Sequence, residues 1–135
     1  MKKSILLFIV SALLFCVGCG SGKVPLSGTV TLDDGTPLNV GAVIFATDTF
    51  SAKGNIDANG NYVMGTLRTN DGLPAGTYKV YIEGATTVIT SNKQETSRSL
   101  IDDQYSSYDS TPLSCEVPVA NNTFNIKIPK NQNQN

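Results

Sequence analysis

Short bursts of apolar residues at every second position run through this chain, and turn-forming residues interrupt each burst. Leu26, Gly28, Val30 and Leu32 fall on one face, while Ser27, Thr29 and Thr31 fall on the other. The same alternation returns at Tyr78, Val80 and Ile82 against Lys79, Tyr81 and Glu83, and at Phe124, Ile126 and Ile128 against Asn125 and Lys127. A period of two places successive side chains on opposite faces of a strand. Ala42 to Ala46 is instead a continuous apolar run, suited to a central strand buried on both faces. No segment carries a convincing helical period.

Turn chemistry supports the same reading. Asp33-Asp34-Gly35 reads as a turn. Asn59-Gly60, between Ala52–Asp57 and Tyr62–Thr66, is the pattern of a type I′ hairpin. Pro112, Pro118 and Pro129 lie at strand ends, where a missing amide donor does least harm. With Leu113 to Val117, about seven strands are expected. The fold class is all-β, a seven-stranded antiparallel Greek-key β-sandwich. Thr87 to Ile101 reads as a loop or a short extra element.

The N-terminus has a different character. Lys2 and Lys3 precede an apolar run over Ile5–Phe15, and Val17, Gly18 and Cys19 follow. This is the pattern of a signal peptide, and the run is shorter than the roughly 20 apolar residues of a membrane-spanning helix. Cys16-Val17-Gly18-Cys19 resembles a bacterial lipobox, with Cys16 where Leu is usual. The resemblance implies acylation of the Cys19 thiol and cleavage before it. Two or three acyl chains then hold the protein to a membrane, where one binds reversibly. Gly20 rather than Asp after the cysteine implies sorting to the outer membrane. The expected layout is a cleaved signal peptide at 1–18, a lipidated cysteine and flexible tether at 19–24, a sandwich domain at 25–130 and a frayed tail at 131–135.

Composition narrows the function. Of the 135 residues none is His and none is Trp, which removes the usual zinc sites and Ser-His or Cys-His catalysis. Loss of Lys2 and Lys3 leaves eight basic against eleven acidic side chains, so nucleic acid is not an expected partner. Cys16 leaves with the signal peptide and Cys19 becomes a thioether, so Cys115 has no disulfide partner. Its alternation with Leu113 and Val117 places it on an apolar strand face as a small hydrophobe.

Three ordered segments carry a family resemblance. They are Leu26-Ser27-Gly28-Thr29-Val30-Thr31-Leu32-Asp33-Asp34-Gly35-Thr36-Pro37-Leu38, then Ile56-Asp57-Ala58-Asn59-Gly60-Asn61-Tyr62, then Leu73-Pro74-Ala75-Gly76-Thr77-Tyr78-Lys79-Val80. Together they resemble the carboxypeptidase regulatory-like domain, a transthyretin-like seven-stranded sandwich. With the lipobox and tether, the chain is similar to small bacterial lipoproteins built around that domain. The resemblance implies a scaffold and supplies no active-site residue.

Asp57 to Asn61 lacks the Gly and Glu spacing of an EF-hand, which favours a hairpin turn over calcium. Asp102 and Asp103 are adjacent, with Asp109 nearby; neighbours on a strand face apart, so a solvated loop is favoured over a cation site. Tyr78 reads as core and Tyr81 as outward-facing. Tyr105 and Tyr108, on a Ser-rich loop, are the candidate binding residues, the plainer alternative being that Tyr105 pins the loop to the sandwich. No enzyme, cofactor or metal is expected. The function expected is a protein-interaction or structural module on the envelope membrane, with an envelope protein as partner; the alternative is a carbohydrate- or small-ligand-binding lipoprotein using the Tyr105/Tyr108 loop.

Overall fold

The computed structural model describes residues 22–132; the expected signal peptide, Cys19 and the first part of the expected tether lie outside them. In chain order the strands are β1 (Lys23–Val24), β2 (Ser27–Leu32), β3 (Ala42–Ala46), β4 (Ser51–Asn55), β5 (Asn61–Val63), β6 (Leu73–Pro74), β7 (Gly76–Glu83), β8 (Thr86–Ser91), β9 (Gln94–Ser99), β10 (Ser114–Val117) and β11 (Ile126–Ile128). Short 3₁₀ turns lie at Asp103–Ser106 and Ala120–Asn122. No helix among the described residues is long and apolar enough to cross a membrane.

Two sheets form the body. One has the order β10-β7-β3-β4 and is antiparallel throughout; the other has the order β11-β2-β5. The alternating faces meet between them. Val43, Phe45, Tyr78, Val80, Ile82, Cys115 and Val117 from the first sheet share one buried cluster with Val30, Leu32, Tyr62, Ile126 and Ile128 from the second. Phe45 packs against Tyr78 and edge-on against Phe124. Period-two patterning thus becomes a β-sandwich, because each sheet hides its apolar face against the other.

The outer face of β3 is also covered, as its unbroken apolar run requires. Ala42, Ile44 and Ala46 form a second buried cluster beneath Tyr81 and Tyr108. The cover is the loop around the first 3₁₀ turn. Thr111, the buried polar residue of this region, anchors it by donating from Oγ1 to the Val80 carbonyl at 2.5 Å.

Several expectations need correction. The second sheet is not wholly antiparallel: β11 runs parallel to β2, with Ile126 opposite Val30 and Ile128 opposite Leu32. The 118–125 connection crosses between sheets and enters beside β2 in the same direction; alternation marks faces and carries no direction. The segment around Asn59-Gly60 is not a type I′ hairpin. Gly60 has φ 83°, whereas Asn59 is not among the positive-φ residues, and β4 and β5 belong to different sheets. The Asp57 amide bonds the Asn61 carbonyl at 2.8 Å, so three residues close the turn. A turn that changes sheets has to splay its strands, which a two-residue turn resists.

The type I′ geometry instead lies at Asn92-Lys93 (φ 51° and 66°), within Thr87 to Ile101, which forms an extra element rather than a loop. That segment is the ribbon β8–β9, six residue pairs long and paired with no other strand among the described residues. The tether is shorter than expected, because Lys23 and Val24 form β1 and pair with Pro74 and Leu73 of β6. At the other end Asn131 is held by its amide to the Leu100 carbonyl at 3.1 Å, so the expected frayed tail does not begin there.

Candidate functional site

One carboxylate organises the loop that leads from β5 to β6. Asp71 accepts the amides of Thr66 at 2.6 Å, Arg68 at 3.2 Å and Leu67 at 3.3 Å, and the ammonium of Lys23 from β1. The Lys23 ammonium, and next the Thr66 amide, hold its carboxyl well below the usual carboxylate range. Thr66 Oγ1 donates to the Gly72 carbonyl at 2.6 Å, which closes the loop. Successive amides converging on one anion fix the backbone of residues 66–68.

That loop forms one wall of a groove of about 450 Å³. β4 supplies Lys53 and Asn55, β5 supplies Asn61 and Val63, and the loop supplies Leu67, Arg68, Thr69 and Asn70. The seam between the walls is tight. Lys53 and Gly65 exchange two backbone hydrogen bonds, each 3.0 Å. The Arg68 carbonyl lies over Gly65, where a Cβ would fall 2.4 Å from it, so the close approach requires glycine. The main chains carrying the two cations are thereby brought together. Neither Lys53 nor Arg68 has an acidic partner within salt-bridge distance among the described residues. Val63 and Leu67 in this groove, at 44% and 86% exposure, are two of the three large apolar side chains left in solvent among the described residues.

Asp57 borders this groove but has its carboxylate engaged. Its Oδ1 accepts the Asn59 and Asn61 amides at 2.8 and 2.9 Å, and Oδ2 accepts Asn61 Nδ2 at 3.2 Å. These bonds, the Asn61 amide first, lower its pKa. The carboxylate thereby closes the three-residue turn from within. Asp102 has a similar local duty, accepting the Gln104 amide at 3.0 Å to cap the 3₁₀ turn that Asp103 begins.

The structure does not bring Tyr105 and Tyr108 into one site. Tyr105 packs against the main core, as the plainer alternative held, while Tyr108 joins the cluster on the opposite face of β3. The Tyr108 hydroxyl donates to Asp48 Oδ1 at 2.6 Å, and the Lys79 ammonium stands 4.6 Å from its ring centroid. Its phenol and one ring face are already taken inside the chain. The bond to Asp48 raises its pKa. Tyr78 is core, as expected, with its hydroxyl on the Pro74 carbonyl at 2.7 Å. Tyr81 is on the outward face of β7 with Lys79 and Glu83, as expected, and is half-buried there against Ala42, Ile44 and Ala46. Cys115 is buried and unpaired, and burial pushes its thiol up. Cys19 lies outside the described residues.

No known protein family matches the chain, and no curated protein does. Among solved structures it is similar to BcpA, the major pilin subunit of Bacillus cereus, with TM-score 0.49 and 15% identity over 82% of this chain. The match spans 30% of the pilin's length. The two-sheet sandwich described above stands on its own strands and core.

The groove residues escaped the sequence reading. Thr66-Leu67-Arg68-Thr69-Asn70-Asp71-Gly72 is too long for a tight turn between Met64 and Leu73, and that length was the available signal. The expected pairing of Ala52–Asp57 with Tyr62–Thr66 already set Lys53 beside the start of this loop, but it gave no place to Arg68, fifteen positions away.

Proposed function

We propose that this protein is a non-catalytic, lipid-anchored module of the bacterial cell envelope that engages an envelope protein by strand addition to the free edge of β8. The Cys16-Val17-Gly18-Cys19 lipobox and the three segments resembling a carboxypeptidase regulatory-like domain support the anchored scaffold. The outer membrane is the compartment that Gly20 after Cys19 favours.

The observation that carries the interaction is the β8–β9 ribbon. Thr86-Thr87-Val88-Ile89-Thr90-Ser91 is rich in β-branched residues, holds no charge and no proline, and lacks the devices that protect edges. β9 carries Glu95 and Arg98, and its base is covered by Asn131, which bonds Leu100 and Ser99. The β8 edge is therefore the more receptive one. Val88, 64% exposed, is one of its apolar side chains. Strand addition takes its affinity from main-chain hydrogen bonds and its selectivity from alternate side chains.

In a two-residue hairpin the closing pair turns its main-chain groups inward, and the residues one and three positions before it turn theirs outward. Ser91 closes the turn with Gln94, so Thr90 and Val88 point outward. A photo-reactive residue in place of Val88, in cells, should crosslink to one envelope protein. Thr90→Pro should abolish the adduct, and Cys19→Ala should abolish it by releasing the protein from the membrane. An adduct that persists in Thr90→Pro, or adducts between copies of this chain alone, would refute the reading.

A further inference from the structure

The groove between β4 and the 65–72 loop was assigned no ligand by that reading and is independent of β8. Its chemistry is specific. Two cations, Lys53 and Arg68, lie on one seam with no acid within salt-bridge distance among the described residues. Asp57, the acid in the lining, already receives three hydrogen bonds. Around the cations stand amides and a hydroxyl, Asn55, Asn61, Asn70 and Thr69, which can donate and accept. Leu67 and Val63 add a small apolar lip.

We propose that this groove binds an acidic saccharide of the hexuronate class, its carboxylate met by Lys53 and Arg68 and its hydroxyls by Asn55, Asn61 and Asn70. An acidic peptide shares the charge but fits less well. An extended peptide needs an open backbone edge, and here both main-chain groups of Lys53 are spent on Gly65, while the Asn61 carbonyl is spent on Asp57. What remains is side-chain amides, hydroxyls and cations, the groups that grip vicinal hydroxyls and a carboxylate. The loop wall is already ordered by Asp71, so binding costs little in loop entropy. Asp71 is thus a positioning residue for Arg68.

The test is calorimetric titration of the detergent-solubilised full chain with a galacturonic acid hexamer. Maltohexaose and hexaglutamate serve as neutral and peptide probes. The acidic hexamer should bind, more weakly as salt rises. Lys53→Gln with Arg68→Gln should reduce affinity at least about 30-fold, since each charge-assisted contact is worth about tenfold. The thermal midpoint should stay in place, because both side chains are exposed and outside any ion pair given above. Asn55→Ala should lose affinity by about fivefold. Tyr108→Ala should bind as the parent does. Absence of hexamer binding, equal binding by the double Gln variant, or hexaglutamate binding as tightly as the hexuronate would each overturn the proposal.

Discussion

The Tyr62 hydroxyl donates to the Phe124 carbonyl at 2.5 Å, sixty-two residues along the chain and in the strand-entry segment of β11. The bond passes beside Gly28, where a Cβ would fall 2.0 Å from that same oxygen. One phenol and one missing side chain therefore seat the parallel strand against β2. Gly28→Ala should destabilise the fold by about 2–3 kcal/mol through overpacking, with β11 the displaced element. Tyr62→Phe should cost about 1–2 kcal/mol by leaving a carbonyl unpaired. Denaturant unfolding of both variants checks the order.

Tyr105 and Tyr108 should separate in mutation. Tyr105→Ala opens a gap at the main core and should lower stability by about 1–3 kcal/mol, read from the unfolding midpoint. Tyr108→Ala removes the clasp between Asp48 and Lys79 and should leave that midpoint nearly unmoved while exposing residues 102–112 to limited proteolysis. Equal effects from both would contradict their placement against separate apolar clusters.

Acid should open the groove late. Asp71 has a lowered folded pKa, so the stability it supplies is fully present above the unfolded carboxylate value, near pH 4. It is lost as pH falls from there toward the lower folded value. Hydrogen exchange of the Thr66 and Arg68 amides should stay slow at pH 5 and accelerate only below about pH 4. In Asp71→Asn the same amides should exchange at least about tenfold faster at neutral pH. Fast exchange of these amides at pH 5 in the parent protein would contradict the clamp.

Lys93 occupies left-handed backbone (φ 66°) in the ribbon turn, a conformation that costs a side chain about 1 kcal/mol. Lys93→Gly should stabilise the ribbon by that amount. Amides of β8 and β9 should exchange more slowly, with the global unfolding midpoint unchanged because no other strand pairs with them.

Cys115 sits at 5% exposure among core side chains. Cys115→Ala leaves a small void, whereas Cys115→Ser also buries a hydroxyl. The serine variant should therefore be less stable than the alanine variant, by about 1 kcal/mol or more. The reverse order would mean that the thiol has polar surroundings.

How much could be read from residues alone varies by element. Each of the seven segments expected to be strands holds one of the eleven observed, because six of them bury every second residue and Ala42 to Ala46 is apolar throughout. The interior positions of Cys115 and Tyr78 follow from the same periodicity. The β8–β9 ribbon was not legible, since a strand exposed on both faces has no alternation to show. Asn59-Gly60 misled because its turn changes sheets, and a dipeptide preference cannot report which sheet the next strand joins.

The chain's own order of residues determined which faces are apolar, where strands stop and that β3 must be covered on both sides. Those properties are local: each follows from a few neighbouring side chains and the backbone geometry they permit. Tertiary structure alone decided that β11 runs parallel to β2, that Tyr105 and Tyr108 part company, and that Arg68 lines one groove with Lys53. Each of those depends on the direction and sheet in which a distant segment returns. That choice is made by the packing of the whole core, and no local pattern encodes it.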